Sequence, residues 1–506
     1  MISNQTLRYF LLAAAAISAA NPSSTVSAFN VPGRSKSSMK PTSSSSSSSS
    51  SKPGPISTTS KSAVAIPLDI PPTAITDDVE SSTQSNNANN KPQLAPEDAW
   101  IADLDYNSFA KDVTALGKEL RQSTGEEDVQ HLQKIVQWRN IAAIVGLSTV
   151  WMAPNPVTVA ALSTWIYASW TMIAHHTCHG GYNRVDAGRY NSRGFALGIL
   201  NRAVDWLDWM QPEAWNVEHN RLHHYRLNEG KDPDLVQRNL DFLRDANVPT
   251  PLKYVTVALF LPIWKWFYYA PNTYKELKIS EIKSQGKDLP EGFDEEEAVT
   301  IVSLFDPRRK DLRQVVKPHE VIVNVLGPFL TRYAAIPGAL CLIPGVGPAL
   351  AGHAFVNLVL ADFLTNVHAF ITIVTNHAGE DLYTFDDAVK PNSGPFYVRQ
   401  IIGSANYDAG NDMIDFAHGF LGYQIEHHVW PDLSMLQYQR GAPKLKSICE
   451  KHGVPYVQEN VFERLRKTVD IMVGKTTMRV FPTEYEPAKD KAATVTWKST
   501  NGAIEE

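Results

Sequence analysis

The sequence predicts an all-α integral membrane protein: two transmembrane helical hairpins (four spans), interfacial helices, and a helical cap that carries histidine groups. Three observations lead there. Long uncharged stretches come in pairs, each pair joined by a turn rich in proline or glycine. Eight of the fifteen histidines fall in three short groups, His175-His176-Thr-Cys-His179, His219-Asn-Arg-Leu-His223-His224 and His427-His428. Those groups lie at the ends of the apolar stretches or in the segments beyond them.

The N-terminal part stands apart. Residues 1–29 read as a signal peptide, with Arg8 followed by the short apolar run Tyr9 to Ala20, which is too short to span a bilayer. Residues 30–94 read as a transit peptide and serine-rich linker. The nine serines Ser43–Ser51 lie inside it, and no Asp or Glu precedes Asp69. Basic, serine-rich and acid-poor composition is that of an organellar transit peptide. The junction Ser27-Ala28-Phe29 resembles the bipartite presequences of algae with secondary plastids. A plastid membrane is the expected location, with the active site on the stromal face and the endoplasmic reticulum membrane as the alternative.

From Ala95 to Gln137 the chain is polar with a helical character. Then Ile141 to Ala153 and Val157 to Ala174 form two uncharged arms around Pro154-Asn-Pro156. Each arm is near the ~20 residues a spanning helix needs. A second pair, Val321–Ile343 and Ala349–Val374, flanks Pro344-Gly-Val-Gly-Pro348. Arginines 184, 189, 193, 202, 221 and 226 follow the first hairpin, which places that side in the cytosol or stroma. Two hairpins put all three histidine groups on one face. A span over Lys253–Pro271 would separate them, so that aromatic stretch, with Lys265 among Trp264, Trp266, Phe267, Tyr268 and Tyr269, reads as an interfacial helix. Phe195–Trp209 is a second such candidate. Arg332 and Asp362 stand at similar distances from the second turn and are expected to pair, as intramembrane charges do.

Net charge is −6, which gives no reason to expect a nucleic-acid partner. Cys178, Cys341 and Cys449 are far apart and odd in number; they suggest neither a disulfide framework nor zinc spacing. The histidines carry the chemistry. Imidazole suits iron, copper, zinc and nickel, and residues four apart on a helix share a face. His175 and His179 therefore aim at one point, as do His219 and His223, with His224 beside them. Three groups hold more ligands than one ion needs, so two metal ions are expected. His377, in Asn376-His377-Ala-Gly-Glu380, leaves the last arm on the same side and is a further candidate ligand. His176, His368 and His418 are weaker ones. Glu213, Glu218, Asp232, Asp234 and Glu426 are near enough in sequence to orient the ligating rings.

The pattern His-x3-His, His-x3-His-His and Gln-x2-His-His, interleaved with two hydrophobic hairpins, resembles the membrane-bound fatty acid desaturases. The likeness runs from about Trp138 to Pro431 and includes His179-Gly-Gly-Tyr182, Trp215-Asn-Val-Glu-His219 and Asp232-Pro-Asp234. Gln424 opening the third box is similar to the front-end type. The His-Pro-Gly-Gly haem motif of a fused cytochrome b5 domain does not occur. The resemblance implies a diiron centre using O2 and two electrons to place a double bond in a fatty acyl chain on a membrane lipid. It makes His175, His179, His219, His223, His224, His427 and His428 iron ligands, with His377 completing the set and Gln424 near the metals. It also implies an external electron donor, ferredoxin in a plastid or free cytochrome b5 elsewhere. On this reading residues 95–474 are the desaturase domain and 475–506 a polar tail. A diiron hydroxylase or ketolase of a carotenoid or sterol is the nearest rival. A bis-histidine haem electron carrier is the rival from another class; it leaves the histidine doublets unexplained.

Overall fold

The computed structural model describes residues 91–492. It also describes the strands Ala74–Asp77, Thr494–Lys498 and Ile504–Glu505, which pair as a small antiparallel sheet. The expected signal peptide, and nearly all of the expected transit segment, lie outside the described residues. Helix dominates, and the remaining strands are two-residue pairs that tie loops together, such as Tyr383–Thr384 with Arg479–Val480.

α1 (Tyr106–Ser123) starts where the Asp105 carboxylate accepts from the backbone N–H groups of Asn107 and Ser108, satisfying donors that the first helical turn leaves orphaned. Its core stripe, Phe109, Val113, Leu116 and Leu120, follows the three-to-four spacing of one helical face. α2 (Glu126–Thr149) opens on three acids, Glu126, Glu127 and Asp128, which complement the positive end of the helix. Its second half changes character: Ile141 and Ile144 are about 60% exposed (59% and 63%). Asn155 then caps α3 (Pro156–Tyr167), which continues through a π-helical segment, Ala168–Ala174, into His175–Cys178. The chain next forms α4 (Thr250–Phe260), α5 (Ala270–Ser284), α6 (Gly327–Cys341) and α7 (Gly347–Ile373). α2 packs on α3, α6 on α7, and α3 on α7.

Two helical runs, Pro156–Cys178 and Gly347–Asn376, are long and apolar enough to cross a membrane. On α7 the outer face presents Phe355, Val356, Leu360 and Leu364, each 40–50% exposed. A band of large apolar side chains like this marks a surface that meets something other than water. The inner seam is polar and paired. Ser163 meets Thr365 at 3.0 Å, Tyr167 meets Thr372 at 2.7 Å, and Asn357 donates to the carbonyls of Val150 and Met152 at 2.9 Å. Such bonds fasten helices where the surroundings offer no water.

Arg332 and Asp362 form the expected ion pair, 3.0 Å apart and buried. Arg332 also donates to the Leu207 carbonyl. Breaking one partner strands a buried charge, at a cost of about 3–5 kcal/mol. Arg332→Leu or Asp362→Leu alone is therefore expected to lower the thermal midpoint sharply. The swap R332D/D362R should recover most of the loss, and a swap no better than the single changes would refute the pairing as the cause.

Within the aromatic stretch after α4, Lys265 does not face outward as the interfacial reading has it. It is buried; its ammonium pairs with the buried Asp208 carboxylate and sits 4.5 Å from the centre of the Trp170 ring. Phe195–Trp209 is likewise turned inward: Trp206 is fully buried and Asp205 pairs with Arg189. The physical reason is mutual neutralisation. Each charge has an opposite partner from a distant segment, so neither needs water.

Beyond α7 come α8 (Gly394–Ile402), α9 (Gln424–Val429), α10 (Met435–His452) and α11 (Val461–Met472). The segment after Gly474, expected as a polar tail, is folded up to Ala492. Phe481 lies in the core against Phe385, Tyr383 and Trp100. Glu486 pairs with buried Arg399, which also meets Asp387 and Glu229. A segment polar in composition is thus held by one aromatic anchor and one buried carboxylate.

Candidate metal centre

The three sequence groups are delivered by different backbone devices. His175 is the first residue after the π-helical segment that ends α3, and His179 caps the last turn, its N–H bonded to the His175 carbonyl. His219 lies within a second π-helical segment, Asn216–Leu222, and His223 and His224 begin a tight 3-10 turn. Such segments recur at functional sites because they re-aim side chains. His427 and His428 sit in α9, preceded by left-handed Gly419 and Phe420 (φ 70° and 55°). Phe420 in that conformation is strained for a bulky side chain. Close approach fixes the exit of the first group: a Cβ on Gly181 would lie 2.6 Å from the Leu433 carbonyl oxygen and 2.9 Å from that of His176. Gly181→Ala is expected to cost about 1–3 kcal/mol through overpacking, read as a lowered thermal midpoint with metal content falling in step.

The rings assemble into two groups. Donor atoms of His175, His179, His219 and His427 lie within 4.8 Å of one another, as do those of His223, His377 and His428. His224 stands beside the first, its Nε2 3.3 Å from that of His219. The structure brings the other histidines expected as ligands into these groups, with His377 in the second. The i, i+4 pair His219 and His223 meets at one point as expected, its donor atoms within 4.8 Å of each other and of an Asp234 oxygen, and it also links the two all-histidine groups, one ring belonging to each. The doublet His427-His428 is likewise divided between the groups. The π-helical and 3-10 geometry around residues 216–225 accounts for the first division, and the roughly 100° step between neighbours on a helix for the second.

The tautomers are set from outside. His223 Nδ1 donates to Asp232 Oδ1 at 3.0 Å, His377 Nδ1 to the Ile373 carbonyl at 3.0 Å, and His428 Nδ1 to Gln400 Oε1 at 3.2 Å. With those protons on Nδ1, three Nε2 lone pairs converge. His377 Nε2 is 3.0 Å from His428 Nε2 and 3.3 Å from His223 Nε2. In the first group His175 Nε2 is 3.1 Å from His427 Nε2 and 3.2 Å from His219 Nε2. Nitrogens about 2.1 Å from one ion and at right angles to each other lie about 3.0 Å apart, the reach of imidazole on a transition metal. Converging lone pairs repel unless a cation lies between them. The buried His179 Nε2 has no hydrogen-bond partner among the described residues, as a free donor atom should. The residues fit a metal centre.

Electrostatics agree. Burial, then the mutual repulsion of neighbouring rings, holds His179, His219, His224, His427 and His428 far below the ordinary imidazole range. His377 is pushed down to about 3 for the same reasons. Neutral imidazole is the form that binds metal. His223 is the exception. Burial alone would lower it, but the Asp232 carboxylate raises it, and Asp232 itself is kept ionised by His223 and by the N–H groups of Asn228 and Asp234.

Of the acids expected to orient the rings, Asp232 does so directly. Asp234 approaches His219 and His223, and Glu218 shares a hydrogen bond with it in a buried acid pair. Glu426 instead accepts from Asn406 and Tyr456. Gln424 reaches the centre, its amide nitrogen 3.1 Å from His377 Nε2. His176 donates to the Met172 carbonyl and lies outside both groups. His368 stacks on Tyr167 and reaches the Ala417 carbonyl, and His418 packs on Tyr407; neither joins. Gln400 and Tyr438 were missed from sequence. Tyr438 stands 3.3 Å from His427 Nδ1, and nothing local to either residue points to the role.

An apolar cavity of about 270 Å³ ends at these rings. Val257, Phe260, Leu261, Trp264, Phe370 and Ile373 line its length, and His175, His219, His223, His377 and Gln424 its inner end.

The fatty acid desaturase family matches residues 149–460, more than half of the chain. An NADPH-dependent stearoyl-CoA 9-desaturase of Mycobacterium tuberculosis is 23% identical over 383 residues, covering 73% of this chain and 80% of that protein. An acyl-lipid 8-desaturase of Rebecca salina is 23% identical, covering 58% and 57%. An sn-1 linoleoyl-lipid 6-desaturase of Arthrospira platensis is 21% identical, covering 57% and 69%. No solved structure matches the chain. With its paired histidine groups at the end of an apolar cavity, the chain belongs to the fatty acid desaturase family.

Proposed function

We propose that the two histidine groups hold two iron ions and that the enzyme introduces a double bond into a fatty acyl chain lying in the apolar cavity. The observation that carries this is the junction of cavity and histidines: an alkyl chain has no polar handle, and only a closed apolar wall can bring one pair of its methylenes to a fixed point. When bound, a diiron centre supplies the oxidising power, so that the chain, O2, two electrons and two protons yield an alkene and two waters. The protein's own residues do the positioning. His175, His179, His219, His224 and His427 would hold one ion, and His223, His377 and His428 the other. Asp232, Gln400 and the Ile373 carbonyl keep the second set's Nε2 atoms facing inward. Gln424 occupies the side of the centre that faces the cavity, and Val257, Phe260, Trp264 and Phe370 exclude water from the chain.

The four-span arrangement is part of the same reading. The apolar halves of α2 and α3 make one hairpin and α6 and α7 the other, which leaves the histidines beside one face of a plastid membrane. The acid-free leader supports the plastid, and ferredoxin is then the electron donor; in the endoplasmic reticulum free cytochrome b5 would serve. The test is expression of the full chain with a working donor in a host of simple fatty acids, followed by gas chromatography–mass spectrometry of total methyl esters. A new unsaturated acid, absent with His427→Ala, is expected. A hydroxylated product would replace this reading with the hydroxylase one.

A further inference from the structure

The family's match ends at residue 460, yet the chain beyond it is built into the cap. Arg479–Val480 runs parallel to Tyr383–Thr384, and Lys491–Ala492 runs antiparallel to Ala388–Val389. These two pairings fasten a strap, residues 478–492, along the segment 383–389. Between its fastened ends the strap turns Glu486 inward. Its side chain is 1% exposed, and its carboxylate holds the Arg399 guanidinium by two hydrogen bonds of 2.8 and 2.5 Å. The same guanidinium donates to the Asp387 carboxylate at 2.7 Å and to Glu229 at 3.3 Å. A two-pronged bond between planar groups fixes the direction of both, so Arg399 cannot turn without breaking it.

Two branches lead from Arg399 to the second histidine group. The first is α8, which carries Arg399 and Gln400 side by side and is buried at all nine of its residues. Neighbours on a helix point about 100° apart. Arg399 therefore meets the strap while Gln400 meets His428, accepting from its Nδ1 at 3.2 Å. At the outer radius of a helix, about 5–6 Å, a rotation of about 10° carries a side-chain tip about 1 Å. That is enough to break the hydrogen bond. The second branch is Glu229. It follows Asn228, whose N–H is bonded to Asp232 Oδ2 at 2.8 Å, and Asp232 is the carboxylate that holds His223. One arginine thus joins the supports of two of the three rings.

Resting on the two-iron reading, we propose that Glu486 and Arg399 are positioning residues of the metal centre: the strap holds α8 and the 228–232 turn in place, and so keeps His428 and His223 aimed at the second ion. A segment beyond the family's match thereby sets how firmly one of the two ions is held.

The test compares the unaltered full-length protein with Glu486→Gln, which keeps the size of the side chain and removes its charge, both purified with their metals. Transfer of iron to an external chelator should become biphasic in the variant. One ion per chain should leave about tenfold faster, the lower range for loss of a support behind a ligand, and the other at its former rate. In a Gln400→Leu background, where His428 has already lost its acceptor, Glu486→Gln should add less than it does alone. Leu312→Ala opens a cavity in a separate part of the core and destabilises the fold by that route; it should leave both release rates unchanged. Hydrogen exchange gives a readout independent of metal: Glu486→Gln should speed exchange in 394–402 and 228–232 as well as in the strap. Faster release of both ions alike, the same release from Leu312→Ala, or exchange confined to 478–492 would overturn the proposal. Fewer than two metal ions in the unaltered protein would count instead against the two-iron reading, and exchange would still judge the clamp.

Discussion

Replacing His223, His377 or His428 with alanine is expected to abolish desaturation while leaving the protein folded. Each ring supplies one of three Nε2 atoms, that of His377 lying 3.3 Å from that of His223 and 3.0 Å from that of His428, and a three-ligand group cannot spare one. Metal analysis should show the loss of one ion while the other group retains its own, because His175, His179, His219, His224 and His427 remain. Asp232→Asn is the graded version. It keeps the shape but replaces the ionised acceptor of the His223 Nδ1 proton with an amide, and loss of such a partner weakens metal affinity by about 10- to 100-fold. Titration of the stripped protein with ferrous ion would read this directly. Undiminished affinity in Asp232→Asn would mean that the Ile373 and Gln400 contacts suffice without the carboxylate.

Filling the apolar cavity should have a comparably large effect by another route. Val257 is buried on α4 and faces the cavity beside Phe260 and Leu261. Val257→Trp would occupy the space that the acyl chain needs without touching a histidine. The expected outcome is unchanged metal content with activity lost, or products confined to shorter chains. A smaller residue at the neighbouring wall, Phe260→Ala, should widen the range of chains accepted. Normal activity in Val257→Trp would place the substrate elsewhere. The two experiments thus separate the half of the site that holds metal from the half that holds the chain.

How much of this was legible in the sequence depended on how local the cause was. The histidine boxes were, because their spacing is a short-range pattern beside long apolar runs. Arg332 with Asp362 was also legible, since a hairpin turn fixes which residues on its arms stand opposite one another. Division of the second box between two groups was not: it comes from π-helical and 3-10 segments that no residue pattern announces. Lys265 read as interfacial because its partner, Asp208, is fifty-seven residues away. The segment after Gly474 read as a tail because its anchors, Phe481 and Glu486, have meaning only against Phe385 and Arg399. Gln400 and Tyr438 were invisible for the same reason. Each touches a histidine from a helix whose own sequence is occupied with packing.

The central claim is that each of the two histidine groups holds one iron ion. Metal analysis of the full chain purified from an iron-replete host, joined to Mössbauer spectroscopy of the same sample, tests it most directly. The account predicts two irons per chain, in sites rich in nitrogen ligands and free of haem. One iron per chain, another metal in both groups, or a haem Soret band would contradict it.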